Sequence, residues 1–355
     1  MYIKNIKVNN FRNIENCNID FDEKINFILG DNGQGKSNFL ESIYYSNFYK
    51  SFRTKNNKDL INFKNEGFFL NINIINNKIN NNLKIYFDKK NNKKILLNNK
   101  IPKFSNMYKI INSIIYYPAE INLLNLYPFY RRNLIDRSIF FIENEYINFI
   151  KKYNKILKQR NIFLKNKSNK FDPWKDQLIE ESINIINKRK NYIKKINKKL
   201  DIFYNNNEID EYYSIYYKYL NENNIKDKIY NDFKKYEERE KYLGYTLFGP
   251  HIDDFNFFIN KKDIRKYSSE GQKKNFLLNY KYVQMLDYYE EFSLYPILLF
   301  DDLGSELDSN RRKIYLNKII ENSGQIFITS THYPIDIPKY SKLYKIEDGV
   351  IINIK

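Results

Sequence analysis

Eight consecutive residues, Gly30-Asp31-Asn32-Gly33-Gln34-Gly35-Lys36-Ser37, fit the phosphate-binding pattern G-x-x-x-x-G-K-[ST] at every fixed position. The glycines let backbone N–H groups close around a nucleotide's β- and γ-phosphates, and a following helix N-terminus adds its positive dipole end. In such a loop Lys36 contacts the phosphates and Ser37 ligates Mg²⁺. A second pair of acids, Asp301-Asp302, follows the apolar run Ile297-Leu298-Leu299-Phe300. That is a Walker B pattern, in which a buried strand carries carboxylates to the edge of a sheet where a nucleotide lies. Asp301 suits Mg²⁺, directly or through water, and Asp302 stands where a carboxylate polarises an attacking water.

Both pairs need elements to hold them. Ile25–Leu29 reads as a buried strand entering the loop, and the residues from Ser37 to Ile43 as the helix leaving it. Tyr2–Val8 and Asn16–Phe21 alternate as short strands, and residues 68–101 continue as strands with turns at Asn76-Asn77 and Asn91-Asn92. From about residue 120 to 240 the period becomes helical. Ile147, Ile150, Tyr153, Leu157 and Leu164 share one stripe, and Ile179, Ile183, Ile186, Ile193 and Leu200 another. Asn166–Trp174 divides these helices, with Asp172 as N-cap and Pro173 at the first helical position, so the pair predicts an antiparallel arm. Strands return at Tyr295–Phe300 and Gln325–Thr331, around an amphipathic helix over Asn310–Glu321.

Asp301 lies 264 positions beyond Ser37, too far for a compact nucleotide kinase. The expected organisation is an α/β ATPase head whose two parts, residues 1–118 and 243–355, flank an inserted helical arm, residues 119–242.

Two further motifs narrow the class. Ser268-Ser269-Glu270-Gly271-Gln272 is similar to the ABC signature S-x-G-Q, and Leu303–Asp308 follows the Walker B strand as a D-loop does. In ABC-type ATPases the signature serine and its helix cap the γ-phosphate bound by the opposite subunit. A ligand that binds only the closed dimer pulls the equilibrium toward it. An ordinary N-cap is the bland alternative for Ser269.

Across nearly its whole length the chain resembles the RecF family, bacterial recombination-mediator ATPases related to SMC proteins. Phe11-Arg12-Asn13 resembles the family's F-R-N and Ser51-Phe52-Arg53-Thr54 its S-F-R-[ST]. Arg131-Arg132 with Leu134-Ile135-Asp136, Leu157-Lys158-Gln159-Arg160-Asn161 and Thr246–Asp254 match three further motifs. The resemblance implies the α/β fold of an ABC-type P-loop ATPase head with an antiparallel β-layer. It implies ATP and Mg²⁺ as ligands, ATP-dependent homodimerisation on double- and single-stranded DNA at gaps, and slow hydrolysis. It also implies action with RecR, RecO and RecA, and parts in replication restart and the SOS response. Ser269, Gly271 and Gln272 would then meet a partner's nucleotide.

The departures are specific. Ile252 replaces the arginine of G-P-H-R-D-D, Glu270 occupies a signature position that is glycine in transporters, and Asp302 stands where transporters carry a longer glutamate. Arg12 and Arg53 could reach the phosphates or pair with acids; Arg12 is assigned to the nucleotide. Tyr116–Glu120 is the candidate Q-loop and His332 the candidate switch histidine. His251, Asp253 and Asp254 read as structural rather than metal-binding, and Trp174 as packing rather than a base-stacking platform.

Composition agrees. The formal net charge of +18 points to a polyanionic partner, nucleic acid before membrane, although a bias toward residues with A/T-rich codons inflates lysine. Residues 151–200 alone hold 16 Lys or Arg against 4 Asp or Glu, which makes the arm the expected phosphate-contacting surface. Cys17 is the only cysteine, there is no signal-like segment, and no apolar run spans a bilayer, so a cytoplasmic protein is expected. Two other readings stay open: an SMC-like nuclease, against which the lack of a carboxylate-rich domain counts, and an adaptor that no longer hydrolyses ATP.

Overall fold

In β1 (Tyr2–Phe11) Ile3 and Ile6 both face inward although strict alternation would oppose them. A register shift against β4 (Gly67–Asn76) between Ile3 and Asn5 rephases the strand, as a bulge does. This computed structural model describes residues 1–102, 110–166, 171–205, 211–302, 318–319, 321–332 and 341–354. With β2 (Ile14–Asp20), β5 (Ile79–Asp88) and β6 (Lys93–Leu97), β1 and β4 form an antiparallel sheet ordered β2-β1-β4-β5-β6. Asn77 and Lys78 both have positive φ, the geometry of a two-residue hairpin turn.

A second sheet runs β14-β13-β3-β12-β11-β7, where β3 is Ile25–Leu29, β7 Ser113–Tyr116 and β11 Ile297–Phe300. The others are β12 (Ile326–Ser330), β13 (Ser341–Glu347) and β14 (Val350–Asn353). From β13 to β7 all pairings are parallel, and β14 adds an antiparallel edge. Every residue of β3 and β11 is buried, as expected of strands covered on both faces. One continuous core joins the inward faces of both sheets through Phe39, Leu40, Ile43 and Tyr44 of α1 (Lys36–Phe48).

The chain divides into two compact units, Met1–Glu120 with Leu277–Lys355, and Ile121–Phe276. The first holds both sheets. The second contains α3 (Pro128–Ile142), α4 (Tyr146–Lys165), α5 (Lys175–Asn205) and α6 (Ile225–Leu243), after α2 (Glu120–Asn125) at the boundary. It also has a sheet ordered β10-β9-β8, from β8 (Tyr213–Tyr217), β9 (Phe255–Ile259) and β10 (Lys262–Asp263). The short α7 (Ile264–Tyr267) follows, and α8 (Glu270–Phe292) runs across the boundary into the first unit.

Two features differ from the sequence reading. The inserted unit is not purely helical, because Tyr213–Tyr217 alternates buried and partly exposed residues as a strand. The unit ends at Phe276 rather than 242, because β8 pairs antiparallel with β9 and ties residues 255–259 to the insertion. The α4–α5 hairpin is antiparallel: Lys152 pairs with Glu181 and Arg160 with Asp172. Asp172 accepts from the Trp174 N–H at 3.0 Å, a cap-like bond, while the regular helix starts at Lys175. Of the helix expected over Asn310–Glu321, only residues 318, 319 and 321 are described, all helical, and residues 167–170 of the expected turn lie outside the described residues.

Candidate nucleotide site

Three neighbouring strands set the site. β3 delivers the Gly30–Ser37 loop, β11 delivers Asp301, and β12 lies between them. Gly33 and Gly35 have φ of +84° and +113°, which other residues rarely adopt. A Cβ on Gly35 would stand 2.7 Å from Asn13 Oδ1, and one on Gly30 would stand 2.5 Å from the Ile346 carbonyl oxygen. Asn13 Nδ2 donates to the Gln34 carbonyl at 3.1 Å, and the Asp348 N–H to Gln34 Oε1 at 2.5 Å. The β1–β2 turn and the β13–β14 turn thus brace the loop from outside.

Lys36 folds into its own loop and donates to the carbonyls of Gly30 (2.7 Å) and Asp31 (2.9 Å). Burial lowers its pKa, while Asp302, Asp301 and Asp31 act in the opposite sense. Ser37 donates to Asp301 Oδ1 at 2.8 Å, and Thr329 of β12 donates to the same oxygen at 2.8 Å. Thr329 Oγ also accepts from the Asp302 N–H at 2.9 Å. Asp302 takes a left-handed backbone, φ 52°, that an aspartate tolerates and that turns the chain at the strand end. Burial raises the Asp301 pKa, and its bonds from Ser37 and Thr329 and the nearby Arg53 pull it back.

These groups line a cleft of about 200 Å³ shared by Asn32, Gly33, Gly35, Lys36, Ser37, Asn38, Arg53, Asp301 and Asp302. Gly30 and Asp31 act from behind it through their carbonyls, and Gln34 through its carbonyl and its side-chain oxygen. The donors at its base are oxygen atoms of Ser37 and Asp301, the hard set that Mg²⁺ takes. The left-handed glycines, Lys36 and Arg53 suit the polyphosphate of a nucleotide.

Arg12, assigned to the nucleotide by sequence, is engaged elsewhere. Its Nε and Nη2 donate to Glu41 Oε2 and Oε1 at 2.9 and 3.1 Å. Glu41 is fully buried on α1, also accepts from Ser51, and lies 3.8 Å from Arg53. Arg53 donates to Asn38 Oδ1 at 2.7 Å, and Asn38 in turn to Asn13 at 2.8 Å. The F-R-N and S-F-R-T segments therefore converge on the helix that follows the phosphate loop, and Arg53 is the arginine that lines the cleft.

The second unit carries the other motifs. At the start of α8 Ser269 and Gln272 form a reciprocal capping box: Gln272 N–H to Ser269 Oγ (3.2 Å) and Ser269 N–H to Gln272 Oε1 (3.0 Å). Gly271 is exposed beside them. Arg189 of α5 is buried and donates to both oxygens of Asp136 and to the Pro250 carbonyl. Asp253 accepts from Tyr217 at 2.6 Å and pairs with Lys218 at 2.8 Å, while Asp254 makes a two-bond pair with Arg131. Arg160 of α4 reaches Asp172, Thr246 and Glu240 at 2.7–2.8 Å. His251 Nδ1 lies 2.5 Å from the Tyr153 hydroxyl, and burial lowers its pKa to about 4. These motif residues are the polar core of the insertion.

Thr329 was missed by sequence reasoning; only its place at the end of a strand beside Walker B signals it. Tyr116 lies in β7, and Glu120 pairs with Lys281 at 2.7 Å. His332 N–H donates to Ser330 Oγ at 3.1 Å. The D-loop residues Leu303–Asp308 lie outside the described residues. No helix among the described residues is long and apolar enough to cross a membrane.

A phosphate loop and a Walker B carboxylate on strands separated by one neighbour, beside an antiparallel layer and interrupted by an insertion, define an ABC-type ATPase head. The model of the RecF/RecN/SMC N-terminal domain matches residues 2–349. The chain is 36% identical over 343 residues to "DNA replication and repair protein RecF" of Clostridium kluyveri, covering 93% of each chain. It is 34% identical to the protein of that name from Clostridium acetobutylicum, covering 99% of each. A solved structure of the recombination mediator protein RecF with ATP, in the RecFOR pathway, superposes with a TM-score of 0.88 at 31% identity, covering 100% of this chain and 98% of that one. An Smc head bound to the C-winged helix domain of ScpA shares the fold, with a TM-score of 0.57 at 14% identity. The chain belongs to the RecF family.

Proposed function

We propose that the chain is an ATP-gated DNA-binding ATPase of recombinational repair. The observation that carries this is the 2.8 Å bond from Ser37 to Asp301, which joins phosphate loop and Walker B in one cleft with Lys36. Family membership supports the same reading.

The loop N–H groups and Lys36 bind the triphosphate; Lys36 exchanges its carbonyl partners for phosphate oxygens. Ser37 and Asp301 would hold Mg²⁺, which would neutralise phosphate charge there. Asp302 orients and polarises the attacking water, and its short side chain suits slow turnover. Ser269, Gly271 and Gln272 cap the γ-phosphate held by a second copy, so ATP closes a homodimer. The dimer holds double- and single-stranded DNA at gaps mainly by phosphate contacts, to which exposed lysines such as Lys155, Lys158, Lys194 and Lys198 contribute. In the cytoplasm it would act with RecR, RecO and RecA, in replication restart and in the SOS response.

Titration with a fluorescent ATP analogue and a parallel hydrolysis assay test the site. Lys36→Ala loses nucleotide binding, whereas Asp301→Ala binds nucleotide and loses hydrolysis. Hydrolysis that survives in Asp301→Ala would refute the assignment.

A further inference from the structure

The amide of Gln272 is part of the signature's capping box, and an amide can be turned either way. Its oxygen must face the Ser269 N–H for the box to close. A carboxylate settles the choice: Gln272 Nε2 donates to Glu211 Oε1 at 3.2 Å. An ionised carboxylate only accepts, so the amide nitrogen turns to Glu211 and the oxygen to Ser269. Ser269 Oγ then accepts from the Gln272 N–H, and its own hydroxyl hydrogen stays available for an anion.

Glu211 is held in its turn. The Tyr213 hydroxyl donates to its other oxygen, and Tyr213 is fully buried, so that phenol must have a partner. The Tyr213 ring lies 5.6 Å from Phe276, one helical turn beyond Gln272 on α8, and Phe276 lies 5.2 Å from Phe257 of β9. The segment Glu211–Tyr213 therefore grips both the polar start and the apolar flank of the signature helix.

We infer that Glu211 is a positioning residue for the signature: it sets the Gln272 amide, and through it the presentation of the Ser269 hydroxyl to a phosphate. This rests on the reading that the signature caps a nucleotide held by a second copy. The loss of an oriented cap is felt twice, since each pair of chains carries two signatures.

The test is sedimentation of the full chain with ATP and Mg²⁺, beside titration of the same samples with the fluorescent ATP analogue. Glu211→Ala is expected to bind nucleotide within about twofold of wild type but to associate about 30-fold more weakly, about 2 kcal/mol at ~1.4 kcal/mol per tenfold. Glu211→Gln, whose amide oxygen can still accept from Gln272 in place of the carboxylate oxygen, is expected within about threefold of wild type. If Glu211→Ala does not fold, Glu211→Met keeps the bulk, removes the acceptors and carries the same expected loss. Ser269→Arg is the control. Association blocked by Ser269→Arg but untouched by removal of the Glu211 acceptors would overturn this inference and leave the signature reading intact. So would an equal loss in Glu211→Gln. Normal association of Ser269→Arg would overturn the signature reading itself, and this inference with it.

Discussion

Ser37 and Asp301, 264 residues apart in the chain, share a hydrogen bond of 2.8 Å. Thr329 donates to the same carboxylate oxygen, so the acid is fixed from the start of α1 and from β12. Ser37→Ala should therefore lower Mg²⁺-dependent hydrolysis roughly 100-fold, the size of effect expected when a charge-stabilising group is lost. Nucleotide binding without Mg²⁺ should stay near wild type. A steady-state phosphate-release assay reads the first, and analogue titration in chelator the second.

Thr329→Val keeps shape and removes both the bond to Asp301 and the acceptor for the Asp302 N–H. Hydrolysis should fall about tenfold with little change in nucleotide affinity, since tenfold is ~1.4 kcal/mol and two hydrogen bonds of roughly 1 kcal/mol each are lost. An unchanged rate would mean that Thr329 does not order the carboxylates.

Arg12 and Arg53 should separate cleanly. Arg12→Ala strands the buried Glu41 and should cost about 3 kcal/mol in urea unfolding. Arg53→Ala should leave stability nearly unchanged, because the residue is partly exposed, and weaken ATP binding about tenfold through loss of one charge contact. The reverse pattern would return Arg12 to the nucleotide.

His251 gives the inserted unit a pH dependence. It is partly buried against Tyr153, with Asp253, Arg132 and Arg189 around it, and its pKa falls to about 4 from 6.5. Between those values the unfolded chain binds the extra proton, so the contribution is present above pH 6.5 and is lost as pH falls toward 4. At most about 3 kcal/mol is involved. Urea midpoints at pH 7 and pH 4.5 should differ less in His251→Gln than in wild type.

DNA affinity should drop steeply between roughly 50 and 200 mM salt, as several phosphate contacts require. Filter binding across that range, with Lys194→Glu and Lys198→Glu, reads the slope. A flat response would remove the basic helices from the DNA surface.

The local chemistry was legible in the sequence because it is contiguous. The phosphate loop, its strand and its helix occupy residues 25–48, and local backbone conformation asks for glycine at 33 and 35, whereas Gly30 is set by the distant Ile346 carbonyl. What was not legible depends on segments far apart. Arg160 looks like one more cation on a basic helix, and only the fold brings Asp172, Glu240 and Thr246 to it. Glu41 looks like a helix-surface acid, yet two arginine-bearing turns bury it. The boundary near residue 242 was missed because strand pairing between β8 and β9, a long-range contact, overrides the local change from helical to strand period.

In the proposed function ATP is an interfacial ligand between two copies of the chain. Light scattering of the purified chain with and without ATP and Mg²⁺ tests it most directly. The expected result is a monomer of 43.4 kDa that doubles in mass only with ATP and Mg²⁺. A mass unchanged by ATP, in a sample shown to have bound it, would contradict the claim.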